Sequence, residues 1–236
     1  MQINQEKKTK AAENNAGEKV NQFIQKNRKI IFISFGIIVL LIIGFITYSV
    51  ISESMNKKAI AELEELIEEY ERVLFFVEND YYSSDVYYLL VSLEEFAKKT
   101  SGFPASKAWS LIADIHSIRK DWPLAEEYWL HSAKTGAKTY LGPIAYFQAA
   151  VCAEEQNKPE QAITYLQQSV SHDFEFPDAP RAQFNIGRLY EQLGDYSRAL
   201  EAYRAVMLNY QWTEASQDML IWQNFARNQI IKLEVR

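Results

Sequence analysis

Between Ile30 and Ile51 the chain carries no charged side chain, and 16 of these 22 residues are Ile, Leu, Phe or Val. As an α-helix rising about 1.5 Å per residue, the run would measure roughly 33 Å, enough to cross a hydrocarbon core. Its polar residues are few: Ser34 and the Thr47-Tyr48-Ser49 group, of which Tyr48 suits a membrane interface. A cleaved leader would have an apolar region of about 7–15 residues ending in small side chains. Here the run is longer and continues into Ser52, Glu53, Ser54 and Met55. A retained transmembrane helix over residues 30–51 is therefore expected.

Past this run the spacing becomes helical. Ile60, Leu63, Ile67, Tyr70, Leu74 and Val77 recur in steps of three and four, with Glu62, Glu64, Glu65, Glu68, Glu69 and Glu71 on the other faces. This predicts an amphipathic helix over residues 53–79. Such a stripe serves either as a dimer seam or as a face packed on the following domain. Fewer than three heptads is short for a coiled coil, so packing on the domain is the expected use and a homodimer the alternative.

From residue 82 to 236 the dominant signal is internal repetition. Asp121-Trp122-Pro123-Leu124-Ala125, Lys158-Pro159-Glu160-Gln161-Ala162 and Asp195-Tyr196-Ser197-Arg198-Ala199 open similar helices, with the alanines 37 residues apart both times. Four residues after each alanine stands a large apolar residue (Trp129, Leu166, Tyr203), and twelve before it a small one (Ala113, Ala150, Gly187). Sixteen before lie Trp109, Tyr146 and Gln183. Small residues let two helices pack closely, and the large ones fill the gap between successive pairs. A single pair cannot bury its apolar face, so stacking into a solenoid follows.

The stretch from Pro180 to Val206 resembles a tetratricopeptide repeat through Gly187, Tyr190, Gly194-Asp195-Tyr196, Ala199 and Tyr203. The earlier units depart from that pattern, with His116 and Ala153 where the repeat has its tyrosine. A degenerate first unit is suggested by Tyr82 to Lys99, with Phe96 and Pro104 at fitting offsets, and the polar connection from Ser171 to Pro177 takes up extra residues. Thr213 to Leu233, with Met219, Trp222, Phe225 and Ile230, reads as a capping helix. The fold expected is all-α: a transmembrane helix, then a tetratricopeptide α-solenoid of about four helix pairs with a C-terminal cap. In that repeat type the second, fifth and ninth positions of each first helix face a groove. The resemblance places Lys107, Ser110 and Asp114 there, then Ile144, Phe147 and Val151, then Arg181, Phe184 and Arg188. The last six form an apolar strip and a phenylalanine between two arginines, suited to a peptide with apolar anchors. The Lys and Asn pattern by which some such domains hold chaperone tails is missing apart from Asn185, so that partner class is not expected.

Charge adds a direction. Residues 1–29 carry seven Lys or Arg against three Glu, whereas residues 53–236 carry 18 basic against 28 acidic residues. Lys26, Arg28 and Lys29 abut one end of the apolar run and Glu53 the other, although Lys57 and Lys58 lie nearby. The positive-inside rule then favours a cytoplasmic N-terminus, with the polar residues 1–29 as a disordered tail and the repeats outside the inner membrane. Tail, anchor and repeats together resemble the bacterial ancillary Sec-translocon subunit family (YfgM-like), with "VNQFIQKNRK" before the anchor. That resemblance implies an extracytoplasmic protein-interaction module assisting translocated proteins or tethering a periplasmic chaperone at the translocon. A scaffold for envelope assembly, dimerising through residues 60–77, is the alternative.

Composition narrows the chemistry. With 8 Gly and 6 Pro, neither an all-β fold nor a glycine-rich phosphate loop is expected. One cysteine, Cys152, supplies no internal disulfide and no CxxC site. The net charge of −6 gives no reason to expect nucleic-acid binding. Zinc-hydrolase, serine-hydrolase and nucleotide-loop motifs are absent, so an enzyme is not expected, nor any cofactor or metal. His116, His131 and His172 have no second ligand four residues away, and packing is expected of His116. Cys152 reads as a small buried hydrophobe, and Glu126-Glu127 and Glu154-Glu155 as solvated faces rather than acid–base pairs.

Overall fold

The computed structural model describes residues 25–29, 33, 37–38, 40–45, 47, 54–74, 84–172, 176–210 and 217–235. The chain divides into two compact units, Met1–Lys57 and Lys58–Arg236. In the first, the described residues from 25 to 47 are helical, and Ile33, Ile37, Ile38, Leu40 to Ile43 and Phe45 are exposed. The Thr47 hydroxyl donates to the Ile43 carbonyl at 2.8 Å, so this polar group is satisfied within its own helix. Among the described residues no helix is long and apolar enough to cross a membrane. Much of the expected 30–51 span, and the tail before residue 25, lie outside the described residues.

The second unit is all helical among its described residues. Its helices are α1 (residues 58–74), α2 (Ser84–Lys99), α3 (Gly102–Ile118), α4 (Trp122–Thr135) and α5 (Leu141–Glu155). They continue as α6 (Pro159–Val170), α7 (Ala179–Gln192), α8 (Tyr196–Asn209) and α9 (Gln217–Glu234). Consecutive helices from α2 onward pack against one another, and α3 also touches α5 as α7 touches α9. The first helices of successive pairs thus share one side of the stack. Four pairs and a terminal helix form a tetratricopeptide-like solenoid.

Three contacts recur along it. In the α7–α8 pair Gly187 lies under the Tyr203 ring: a Cβ at 187 would stand 2.6 Å from Cδ1 and Cε1. Tyr203 is wholly buried. One repeat back the same places hold buried Ala150 and Leu166, and two back Ala113 and Trp129. Twelve residues before the large residue a polar group receives its donor where there is one. Trp129 Nε1 donates to Ser117 Oγ at 3.2 Å and the Tyr203 hydroxyl to Glu191 at 3.1 Å. At the far end of the α3–α4 and α5–α6 pairs, serines close the joint. Ser132 Oγ donates to the Ser106 carbonyl at 2.8 Å, and Ser169 Oγ to the Pro143 carbonyl at 2.8 Å.

The turns repeat too. Lys120, Asn157 and Gly194, again 37 apart, have φ of 59°, 56° and 76°. Each donates its N–H three residues back, and the following N–H reaches five back, to the carbonyls of His116, Ala153 and Tyr190. This closes one helix in a left-handed cap and starts the next. Glycine accepts that conformation without strain, and asparagine better than lysine does.

The α1 stripe is rotated from its expected position. Leu63, Leu66, Tyr70 and Val73 are buried with α2 and α3, whereas Ile67 and Leu74 are half-buried against that core and Ile60 is exposed. Val77 lies outside the described residues. The domain takes up the apolar face here, so a dimer seam built from Ile60, Leu63, Ile67, Tyr70, Leu74 and Val77 would compete with the core of its own chain. At the other end, Ala226 and Leu233 of α9 are buried with Ala199, Tyr203 and Val206, so this helix caps the last pair.

Gly187→Ala is expected to destabilise the domain by about 1–3 kcal/mol, because a methyl group must displace a buried ring. In a Tyr203→Leu background the same change should cost far less, since Ala150 opposite Leu166 is that pair one repeat earlier. Urea unfolding of the four variants measures the coupling.

Candidate peptide-binding face

The face made by the first helices is built most fully by α5, α7 and α9. Phe147 of α5 is buried and lies 5.8 Å from Phe176. The exposed Arg181 of α7 covers it, with Cζ 5.1 Å from the Phe147 ring centre and 6.0 Å from that of Trp222 on α9. Phe184, half-buried on α7, contacts Tyr203, Trp222 and Phe225 at ring separations of 5.2, 5.5 and 6.1 Å. Trp222 and Phe225 meet edge to face at 5.6 Å. Val151 and Phe225 remain exposed, at 39% and 47%.

Of the residues expected in the groove, Val151 and Arg181 present themselves to solvent and Phe184 does so in part. Ile144 is packed against the core and Phe147 belongs to it, so the middle repeat offers less open apolar surface than its sequence suggests. Arg188 is not free. It donates to Glu154 at 2.5 Å, tying α7 to α5. In the preceding repeat Asp114 accepts the Tyr70 hydroxyl and Ser110 donates to the Lys107 carbonyl. The face is therefore open from α5 onward. Sequence reasoning assigned Trp222 and Phe225 to a cap and missed them here, although an aromatic pair three residues apart on one helix is a readable signal for a shared face.

Residues 147–207, from α5 through most of α8, match the family described as tetratricopeptide repeat. Over this stretch, about a quarter of its length, the chain is similar to that family. It is 37% identical over 117 residues to a tetratricopeptide repeat-containing protein of Treponema pallidum (strain Nichols), covering 49% of this chain and 48% of that one. The chain thus spans about half the length of this curated relative. Among solved structures it is similar to the tetratricopeptide-like repeat array of a Podosopora anserina chain named for kinesin light chain, at 16% identity, covering 73% of this chain and 91% of that one, with a TM-score of 0.47. A point variant of that array gives 15% identity, the same coverage and a TM-score of 0.48.

Tetratricopeptide repeats serve protein interaction and are in general non-catalytic, and the polar groups inside this array serve packing. Among the described residues no three His, Cys, Asp or Glu are grouped to hold a metal ion. Cys152 is buried, and burial pushes its thiol up to about 11, far from a reactive thiolate. Glu126 corrects the expectation of a solvated pair: it is buried and accepts from Gln156 at 2.6 Å, Gln161 at 2.7 Å and the Tyr165 hydroxyl at 2.9 Å. Lys158 stands 3.7 Å away. This carboxylate pins α4 to the next pair, whereas its neighbour Glu127 is exposed.

His116, at the usual tyrosine position, stacks on Tyr128 at 5.4 Å with Asp121 3.6 Å from Nδ1. Burial holds its imidazole below the ordinary range, against the pull of Asp121 and together with the push of Arg119. Because the folded state disfavours the proton, the unfolded chain binds more of it once pH falls through about 6.5, and stability then drops. The loss levels off below the folded-state value. Urea midpoints measured from pH 7.5 to 5 should fall further for the native chain than for His116→Phe, which keeps the stacking but cannot titrate. Equal slopes would contradict this assignment.

Proposed function

We propose that this protein is a membrane-anchored interaction module on the extracytoplasmic side of the inner membrane. There it assists newly translocated proteins, or tethers a chaperone, at the Sec translocon. The observation that carries the reading is the pairing of two features in one chain. One is an uncharged run of 22 residues with basic residues before it. The other is a tetratricopeptide stack whose α5–α7–α9 face leaves Val151, Arg181 and Phe225 exposed. The run supplies the attachment, its charge asymmetry the orientation, and the face the contact with protein. The scaffold alternative is weaker, since α1 buries Leu63 and Tyr70 in its own domain.

Two measurements on the full chain in spheroplasts test this. Protease added from outside should digest the repeats. A photo-crosslinker in place of Phe225 should capture translocon subunits, a periplasmic chaperone or secretory chains, whereas one in place of Thr164, on α6, should not. Repeats protected until lysis would overturn the orientation, and crosslinks confined to Thr164 would overturn the choice of face.

A further inference from the structure

Among the described residues α9 is a first helix with no second helix closed on it. Shifted by the 37-residue period, Ala226 takes the place of Leu189, and it is buried with Ala199 and Tyr203 as Leu189 is with Ala162 and Leu166. The same shift carries Phe184, Gly187 and Glu191 of α7 onto Ile221, Asn224 and Asn228 of α9. On α7 these three all meet Tyr203 of α8: Phe184 at a ring separation of 5.2 Å, Gly187 beneath the ring, and Glu191 at the hydroxyl. On α9 their counterparts are exposed. The side that closes a pair in α7 thus faces solvent in α9.

What fits there follows from the order of residues along that side. Ile221, Asn224, Asn228, Ile231 and Val235 recur in steps of three and four, and all are exposed, Ile221 by 48% and Ile231 by 56%. At about 100° of rotation per residue these five fall within a strip about 80° wide, with Arg227 and Lys232 to either side of it. The strip reads alike in both directions about Ala226: the isoleucines stand five residues before and after it, the asparagines two. A helix running antiparallel at the same level must therefore offer isoleucine to isoleucine and an amide to an amide. That description fits α9 of a second copy. An asparagine amide both donates and accepts, so it can satisfy an identical amide across a two-fold axis.

An ordinary second helix fits less well. It would bring a large side chain over position 224 as Tyr203 comes over Gly187, and the Asn224 side chain occupies that room. The length of the strip is no obstacle to pairing. Ala226 and Leu233 already hold α9 against α8, so association orders no new backbone, unlike a free coiled coil of this size.

We propose that two copies of this chain pair through α9, antiparallel, about a two-fold axis level with Ala226. Ile221 of each copy packs on Ile231 of the other, and Asn224 of each bonds Asn228 of the other. This contact is separate from a seam at residues 60–77 and does not depend on which face receives a client.

Sedimentation equilibrium of the full chain in density-matched nonionic detergent should show a reversible dimer. Replacing Asn224 and Asn228 together by lysine sets like charges opposite one another and should raise its dissociation constant at least about tenfold. The urea midpoint should stay at the native value, since both sites are exposed. Asn224→Glu combined with Asn228→Lys sets opposite charges across the axis and should restore the dimer. In a Cys152→Ala background, chains with Ile221→Cys mixed with chains with Ile231→Cys should form disulfide-linked dimers on mild oxidation. Neither should link to itself, because like positions stand roughly 15 Å apart along the paired helices. A monomer at every concentration would overturn the proposal. A dimer untouched by the two lysines would place the contact elsewhere, and self-linked Ile221→Cys chains would exclude the antiparallel pairing.

Discussion

The stack depends on how closely the two helices of a pair approach. Gly187 under Tyr203 is the tightest case, and Ala150 with Leu166 and Ala113 with Trp129 are its forerunners at 37-residue spacing. A small residue on the first helix gives the second helix room to bring a large side chain over its backbone, and burial of that side chain holds the pair. The left-handed turn at the near end, joined in the α3–α4 and α5–α6 pairs by buried serine bonds at the far end, then fixes where along its length each helix meets its partner. Once the pair is closed, what remains unburied is decided: one side of every first helix is left facing outward, and from α5 onward that side is open.

That arrangement was legible wherever one residue type at a fixed spacing carried the physics. The three alanines 125, 162 and 199 are all wholly buried, as close helix packing requires, and the apolar period of the C-terminal segment buries Ala226 and Leu233 against the preceding pair. The rotation of α1 was not legible. Its heptad stripe points along one line, but two helices, α2 and α3, share its contact, so Leu66 and Val73 are buried more deeply than Ile67 and Leu74. Nor was Glu126, because adjacent glutamates look alike in sequence. Only the arrival of Gln156, Gln161 and Tyr165 from the next pair turns one of them inward. The left-handed positions 120, 157 and 194 were hidden for a simpler reason. Only the last is glycine, and lysine gives no sign of that backbone conformation.

The face was read in part. Repeat positions located Val151, Arg181 and Phe184, yet the packing of Ile144, the burial of Phe147 and the ion pair at Arg188 remove three of the expected residues. Trp222 and Phe225 replace them. A cap is recognised by its end position, but α9 also packs on α7 as the next first helix would, so it extends the face as well as closing the core. The packed core and the exposed face thus share residues. Trp222 shields the last pair and orients Arg181, and the same ring covers Phe184.

The close approach itself is open to direct observation. The α-hydrogen of Gly187 that stands where a Cβ would be points at the face of the Tyr203 ring, where the ring current shields it. In a proton NMR spectrum of the full chain in micelles, labelled at glycine, one Gly187 α-proton should lie well upfield of its geminal partner and return to the ordinary range in Tyr203→Leu. Two α-protons at ordinary positions in the native chain would mean that the ring does not lie over residue 187, and close approach could not then be what holds the helix pairs together.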